Sequence, residues 1–205
     1  MFSKFIAHLF PKVVLRQSLR FRYTICLGGL TLTAFLGLIA SGVLLMVYYT
    51  PSPSEAYKSL LFIEEEVVGG GYIRSFHRIS GDLFMILMFL HTLRVLLTGA
   101  FVFRKYNWVI GMFLLFLAIC SGYTGYLLPM DQLSYWATQT GMELITNLPG
   151  GEVVQRLLAP DGIGGRLTLT RFYTLHVFVL PLLITALTAI HFYRIRKDKG
   201  VLPYL

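Results

Sequence analysis

Four apolar stretches, each near the roughly 20 residues that cross the hydrocarbon of a bilayer, dominate this sequence. They run over 25–49, 77–98, 108–128 and 172–193. Lipid offers the backbone no hydrogen-bond partners, so a stretch that crosses it must satisfy its own N–H and C=O groups. Each is therefore read as a helix, and the fold class as an all-α, four-helix transmembrane bundle. Only 14% of the residues are charged, against about a quarter in an ordinary soluble domain. A formal net charge of +8 would suggest nucleic acid in a soluble protein. In so apolar a chain the cations belong beside lipid headgroups, and no nucleic-acid partner is expected. Cys26 and Cys120 are too few for a disulfide framework and match no zinc spacing. The apolar run behind the basic start is too long for the core of a cleavable signal peptide.

The connections are unequal. A polar segment holds Pro51, Pro53 and the run Glu64–Glu66, and a short turn holds Arg104 and Lys105. A longer loop, 129–171, alternates apolar and polar residues and predicts surface helices near 131–144 and 152–158. Residues 1–22 set Phe2, Phe5, Ile6, Leu9 and Phe10 among cations, the pattern of an amphipathic helix lying on a membrane. The expected organisation is that segment followed by one domain, 23–205, with no repeat. Charge orients the bundle. Lys4, Lys12, Arg16, Arg20 and Arg22, the 104–105 turn, and Arg194, Arg196, Lys197 and Lys199 fall on one face when the number of spans is even. The positive-inside rule makes that face cytoplasmic or stromal, with both termini on it. Glu55, Glu64–Glu66, Asp131, Glu143, Glu152 and Asp161 fall on the other.

Ionisable groups inside a span are costly and call for a function. His77 and His91 stand 14 residues apart in the second span, His176 and His191 15 apart in the fourth. Both separations approach four helical turns, so each pair keeps nearly one helix face, with its members roughly 21 Å apart in depth. The second and fourth spans run in the same direction. His77 then shares a level with His176 near the acidic face, and His91 with His191 near the basic face. Two facing imidazoles at one depth supply both axial ligands of a haem iron, and such iron transfers electrons rather than activating a substrate. Two b-type haems are the expected cofactors. The competing reading is hydrogen bonding or proton relay between helices. His8 lies in the surface segment and is read as solvated.

Gly28 and Gly42 are 14 residues apart in the first span, as are Gly111 and Gly125 in the third. Their period matches that of the histidines and suits close approach of a bulky ring, although small residues also serve ordinary helix packing. Arg74, Arg78 and Arg94 flank the histidines and suit haem propionates, with contact to lipid phosphate as the alternative. Asp82, one turn after Arg78, is read as its i,i+4 ion partner.

These residues resemble the cytochrome b family of quinol oxidases that work with Rieske proteins, in the short, split form typified by cytochrome b6. The resemblance runs over about 22–197. It rests on Cys26-Leu27-Gly28-Gly29, Ile73-Arg74-Ser75 before His77-Arg78, Thr124-Gly125-Tyr126 leading to Pro129, Tyr135-Trp136-Ala137, and Leu169-Thr170-Arg171-Phe172-Tyr173 before Leu175-His176. The 15-residue histidine spacing is also the b6-like value; the longer mitochondrial type has one fewer. By this resemblance His77 and His176 bind the positive-side haem b, and His91 and His191 the negative-side haem b. Cys26 matches the site of a single thioether bond to an extra haem c, and Arg196 and Lys197 match basic residues near a negative-side quinone. Without the resemblance, Cys26 reads as a small buried hydrophobe, as Cys120 does. The implied activity is that of a core subunit of a quinol:cytochrome c or plastocyanin oxidoreductase. Quinol is oxidised on the positive side, one electron passes to a Rieske centre, and the other crosses this chain to reduce quinone, coupled to proton translocation. The implied partners are a Rieske iron–sulfur protein, a c-type cytochrome, and a separate subunit with the Pro-Glu-Trp-Tyr motif that this sequence lacks. The complex is expected to be dimeric, in a bacterial inner or thylakoid-type membrane. Met130, where the family commonly has tryptophan, and Asp82, where it has a small or neutral residue, depart from the pattern. Rival classes are a di-haem membrane anchor of a dehydrogenase and a haem-free transporter.

Overall fold

The computed structural model describes residues 26–197, and every regular element among them is helical. The expected surface segment 1–22, with His8, lies outside the described residues. In chain order the elements are α1 (Leu27–Tyr48), α2 (Ala56–Glu65), α3 (Gly70–Leu97), α4 (Ala100–Phe103), α5 (Lys105–Leu127), α6 (Gln132–Thr146), α7 (Gly151–Leu158) and α8 (Arg166–Thr174). A π-helical turn (Leu175–Val179) joins α8 to α9 (Leu180–Lys197). Among the described residues, four helices are long and apolar enough to cross a membrane: α1, α3, α5, and the continuous rod of α8, the π-turn and α9.

Two of these spans begin earlier than their apolar residues do. α3 starts seven residues before His77 and reaches 28 residues, while the fourth rod reaches 32. At 1.5 Å per residue these are about 42 and 48 Å long, so their polar ends project beyond a hydrocarbon layer of about 30 Å. Outside that layer a helix no longer needs apolar side chains, which is why hydropathy alone placed the boundaries too late. α2 stands where only a polar segment is expected. It packs Ala56, Leu60 and Ile63, spaced at i, i+4 and i+7, into the structure. The turn from α2 into α3 depends on two glycines. Gly69 takes a left-handed φ of 75°, and a Cβ on Gly70 would overlap the carbonyl of Ile63.

The spans pair off: α1 lies along α3, and α5 along the fourth rod. Where all four meet, Ala34, Phe35, Phe84, Leu87, Met88, Leu114, Ala118 and Ile184 form a dry core. A second core caps one end, built from Ala56, Leu127, Met142, Ile163, Leu169 and Phe172. The 129–171 loop packs into this capping core against α2, α5 and the fourth rod, and it folds as the two expected surface helices, α6 and α7, and the start of the fourth rod. Its polar groups are satisfied locally. Asp131 accepts from the Ser134 amide at 2.7 Å as the N-cap of α6. Tyr123 donates to the Thr138 carbonyl at 2.9 Å and Tyr49 to the Leu128 carbonyl at 2.7 Å. Arg171 donates to the carbonyls of Arg156 and Leu157, at the end of α7.

Candidate functional site

The four intramembrane histidines face the interior between the two helix pairs. His77 and His176 meet there, with ring centroids 6.2 Å apart. The hydrogen bonds behind them fix what each ring offers. His176 Nδ1 lies 2.9 Å from the Ser121 carbonyl. A carbonyl only accepts, so Nδ1 carries the proton and Nε2 keeps its lone pair. His77 Nδ1 lies 2.8 Å from Ser41 Oγ, and that hydroxyl donates to the Gly37 carbonyl at 2.7 Å. With its own hydrogen committed, Ser41 Oγ accepts from Nδ1–H, and again Nε2 is left as the donor atom. A ring held through one nitrogen so that the other can bind metal is the usual arrangement around a metal-bound histidine.

At the other level, His91 Nδ1 is buried without a hydrogen-bond partner among the described residues, and His191 lies against the backbone of Asn107. Of the four histidines expected from spacing, the structure brings His77 and His176 together.

The glycines answer the histidines one for one. A Cβ on Gly42 would lie 3.2 Å from His77 Cε1, one on Gly28 3.2 Å from His91 Cε1, and one on Gly111 3.5 Å from His191 Cε1. A Cβ on Gly125 would clash with the His176 ring at Cε1 and Nδ1. The first span thus backs the second, and the third backs the fourth.

The spacing difference between the two histidine pairs also finds its cause here. His176 lies in the π-turn, where the Leu180 amide bonds to the Leu175 carbonyl, five residues back instead of four. That turn takes up one residue, so 15 residues in this rod rotate the helix about as far as 14 do in α3. Pro181 follows directly, and its missing N–H removes the competing α-helical bond to Val177.

The charged candidates separate. Arg74 pairs with Glu64 of α2, a partner that sequence order did not suggest. Arg78 is exposed, and the expected Arg78–Asp82 ion pair is absent from the ion pairs among the described residues. Arg94 lies half-buried one turn beyond His91, while Arg196 and Lys197 are exposed in the last turn of α9. Cys26 is exposed in the left-handed region, φ 47°, just ahead of α1 and two residues from the glycine that backs His91. The Ser41 hydroxyl beside His77 and the Ser121 main-chain carbonyl beside His176 are contacts that sequence reading missed. For Ser41 the only signal is a polar residue inside a span on the same helix as a spaced glycine; a main-chain carbonyl gives none.

Two imidazoles per level are too few to complete a four-coordinate zinc site. They suit an iron whose remaining positions are filled by a porphyrin. The centroid separation agrees: with metal–nitrogen bonds of about 2 Å and ~1.1 Å from nitrogen to ring centre, two imidazoles on one metal have centres about 6 Å apart. The residues present fit haem.

Comparison with known proteins gives the same answer independently. The family model described as cytochrome b/b6/petB matches residues 13–199. The chain is 45% identical to cytochrome b6 of Heliobacterium mobile over 175 residues, covering 83% of this chain and 81% of that one. It is 43% identical to cytochrome b6 of Synechocystis over 176 residues, covering 84% and 79%. Among solved structures, a chain of a hyperthermophilic respiratory Complex III superposes with a TM-score of 0.82 at 28% identity. That match covers 98% of this chain and 52% of the other, so the chain spans about half the length of that relative. From histidine geometry, helix order and sequence alike, this chain belongs to the cytochrome b/b6 family.

Proposed function

We propose that this chain, a haem-bearing core subunit of a quinol-oxidising cytochrome complex, holds one b-type haem between His77 and His176 and a second between His91 and His191. The observation that carries this reading is the pair of imidazoles with centroids 6.2 Å apart, each tied to the protein through Nδ1 so that Nε2 keeps its lone pair. The bound haems supply one-electron redox chemistry at two depths of the membrane. The protein does the rest. Ser41 and Ser121 hold the ring orientation. Gly28, Gly42, Gly111 and Gly125 leave room for macrocycles against the backbone. The core around Phe35, Phe84 and Leu114 excludes water between the two levels. Relay points are needed because moving one charge across the membrane costs about 2.3 kcal/mol per 100 mV.

Finer assignments follow from the family resemblance. Arg78 and Arg94 are assigned to propionates, and Arg74 to the same role, in which Glu64 competes for its guanidinium. Cys26 is assigned to a covalent haem c; its exposed position near the His91 level supports that. Arg196 and Lys197 are assigned to the negative-side quinone region, and both termini to the negative side. Quinol oxidation is assigned to the assembly with a Rieske protein, a c-type cytochrome and a subunit bearing the Pro-Glu-Trp-Tyr segment.

One preparation tests the reading. The complex purified from native membranes is expected to show a reduced b-type alpha band with two b-haems per chain, and the denatured chain to keep haem-dependent peroxidase staining. Cys26→Ala should remove the stain and leave both b-haems. No alpha band would overturn the haem assignment, and an unmodified wild-type mass would overturn the thioether.

A further inference from the structure

The outward face of α3 carries a carboxylate at the middle of the membrane. Asp82 is thirteenth of the 28 residues of α3, so it lies about 18 Å from one end of the helix and about 22 Å from the other. At 100° per residue, the buried Ser80, Phe84, Leu87 and Met88 gather on one side of the helix. Asp82 stands on the opposite side, exposed, among Ile79 (65% exposed), Ile86 (57%) and Phe89 (61%). No hydrogen bond or ion pair of Asp82 occurs among the described residues, and its neighbour Arg78 is not paired with it. A carboxylate facing hydrocarbon at this depth is among the costliest placements a span can have. A lipid headgroup lies too far away to relieve it, since both helix ends are well over a side chain's reach. The apolar residues above and below it form a surface that suits another helix.

A second copy of α3 does not answer the charge. Two copies related by a two-fold axis along the membrane normal run parallel, and their Asp82 side chains meet at one depth with like charge. A different helix is required, one with the opposite charge. We propose that this face of α3 is an intramembrane contact with a transmembrane helix of a companion subunit of the complex, which sets a lysine or arginine at the depth of Asp82. The proposal rests on the chain's membership in a multi-subunit cytochrome complex, and assigns one of its contacts to a position where the family's common pattern has no charge. Ile79, Ile86 and Phe89 supply packing around the ion pair and keep water from it.

The test uses the assembled complex in native membranes. A benzoylphenylalanine photo-cross-linker is placed at Ile79 and, separately, at Ile86, leaving Asp82 intact. Both positions are expected to give adducts with one peptide of one other subunit, and that peptide should carry a lysine or arginine within one helical turn of the adduct. Asp82→Leu should then lower co-purification of that subunit in detergent by roughly 3- to 30-fold, the range of interhelical polar contacts in membranes, with the b-haem spectrum unchanged. Asp82→Lys combined with the companion's basic residue changed to aspartate should restore it. Adducts only with lipid, with quinone or with another copy of this chain would overturn the proposal. So would a partner peptide without a basic residue, or an Asp82→Leu complex that holds its subunits as firmly as the wild type. Loss of the b-haem band from Asp82→Leu would show misfolding, and the adduct map then decides alone. Absence of b-haem in the wild type would refute the haem reading without touching the adduct map.

Discussion

Ser41 and Ser121 decide which nitrogen His77 and His176 present, and the spaced glycines decide whether there is room to use it. The strictness of those glycines differs. A Cβ on Gly125 would overlap the His176 ring, whereas one on Gly111 would meet His191 Cε1 at 3.5 Å, an ordinary contact. Gly125→Ala is therefore expected to drop the b-haem content from two per chain towards one, and Gly111→Ala to keep both. Haem quantification with a redox titration reads this directly, and similar behaviour of the two variants would count against the packing account. In the same titration His77→Ala and His176→Ala should remove one and the same component, and His91→Ala and His191→Ala the other. The histidines and glycines were legible in the sequence because a titratable group or a repeated 14-residue spacing inside an apolar run is conspicuous. Ser41 was not, because serine is an ordinary helix-packing residue in membranes, and the Ser121 contact was not, because a main-chain carbonyl is independent of residue type. Which glycine backs which histidine depends on the rotation of each helix about its axis, and no local pattern encodes that.

Among the elements, the π-turn at 175–179 carries the clearest consequence. Its five-residue hydrogen bond absorbs the extra residue between His176 and His191, so the rod should tolerate losing it. Deletion of Phe178, whose side chain points outward at 64% exposure, is expected to convert the turn to ordinary α-helix and leave both b-haems bound. Insertion of one alanine after Leu83, within the regular helix α3, should rotate His91 by about 100° relative to His77 and cost one haem. Equal haem content in the two variants would refute this. The sequence showed the 15-residue spacing but not how a helix would absorb it, and it showed the apolar centre of each span better than its polar ends. The start of the fourth rod illustrates the second limit. It is held by Asp161, which lies four residues before the N-cap Gly165 and accepts from the Leu167 amide at 2.8 Å, the Thr168 amide at 3.0 Å and the Thr168 hydroxyl at 2.7 Å. A Cβ on Gly165 would collide with that carboxylate. The Thr168 hydroxyl first, and then the two amides, hold the Asp161 carboxyl below its usual 3.8. A lowered carboxylate pKa contributes stability above the unfolded value and loses it as pH falls through the folded one. Protection of the Leu167 and Thr168 amides from hydrogen exchange should thus stay level from pH 8 to 5 and fall only below about 3.8. In Asp161→Ala it should be lost already at neutral pH; unchanged protection in that variant would refute the cap.

At the scale of the whole molecule, the two functions of such a complex separate physically. The four histidines proposed as axial ligands, the Ser41 hydroxyl and Ser121 carbonyl beside two of them, and the core between the levels lie within residues 26–197. Haem binding is therefore expected to be a property of this chain. Quinol oxidation is different. The groove lined by Met85, Ile119, Gly122, Tyr123, Tyr126 and Ala137 opens towards the capping loop, and the Pro-Glu-Trp-Tyr segment that lines the quinol pocket in this family is not in the 205 residues. This chain spans 52% of the solved Complex III relative. The 205-residue chain, purified in detergent without companions, should keep two b-haems reducible by dithionite. It should nevertheless show only the background rate of electron transfer from a quinol to cytochrome c. Reassembly with its companion subunits should raise that rate by orders of magnitude while the b-haem spectrum changes little. Turnover by the isolated chain would mean that the 205 residues form a complete quinol-oxidising site on their own, and the division between haem carrier and quinol pocket would have to be abandoned.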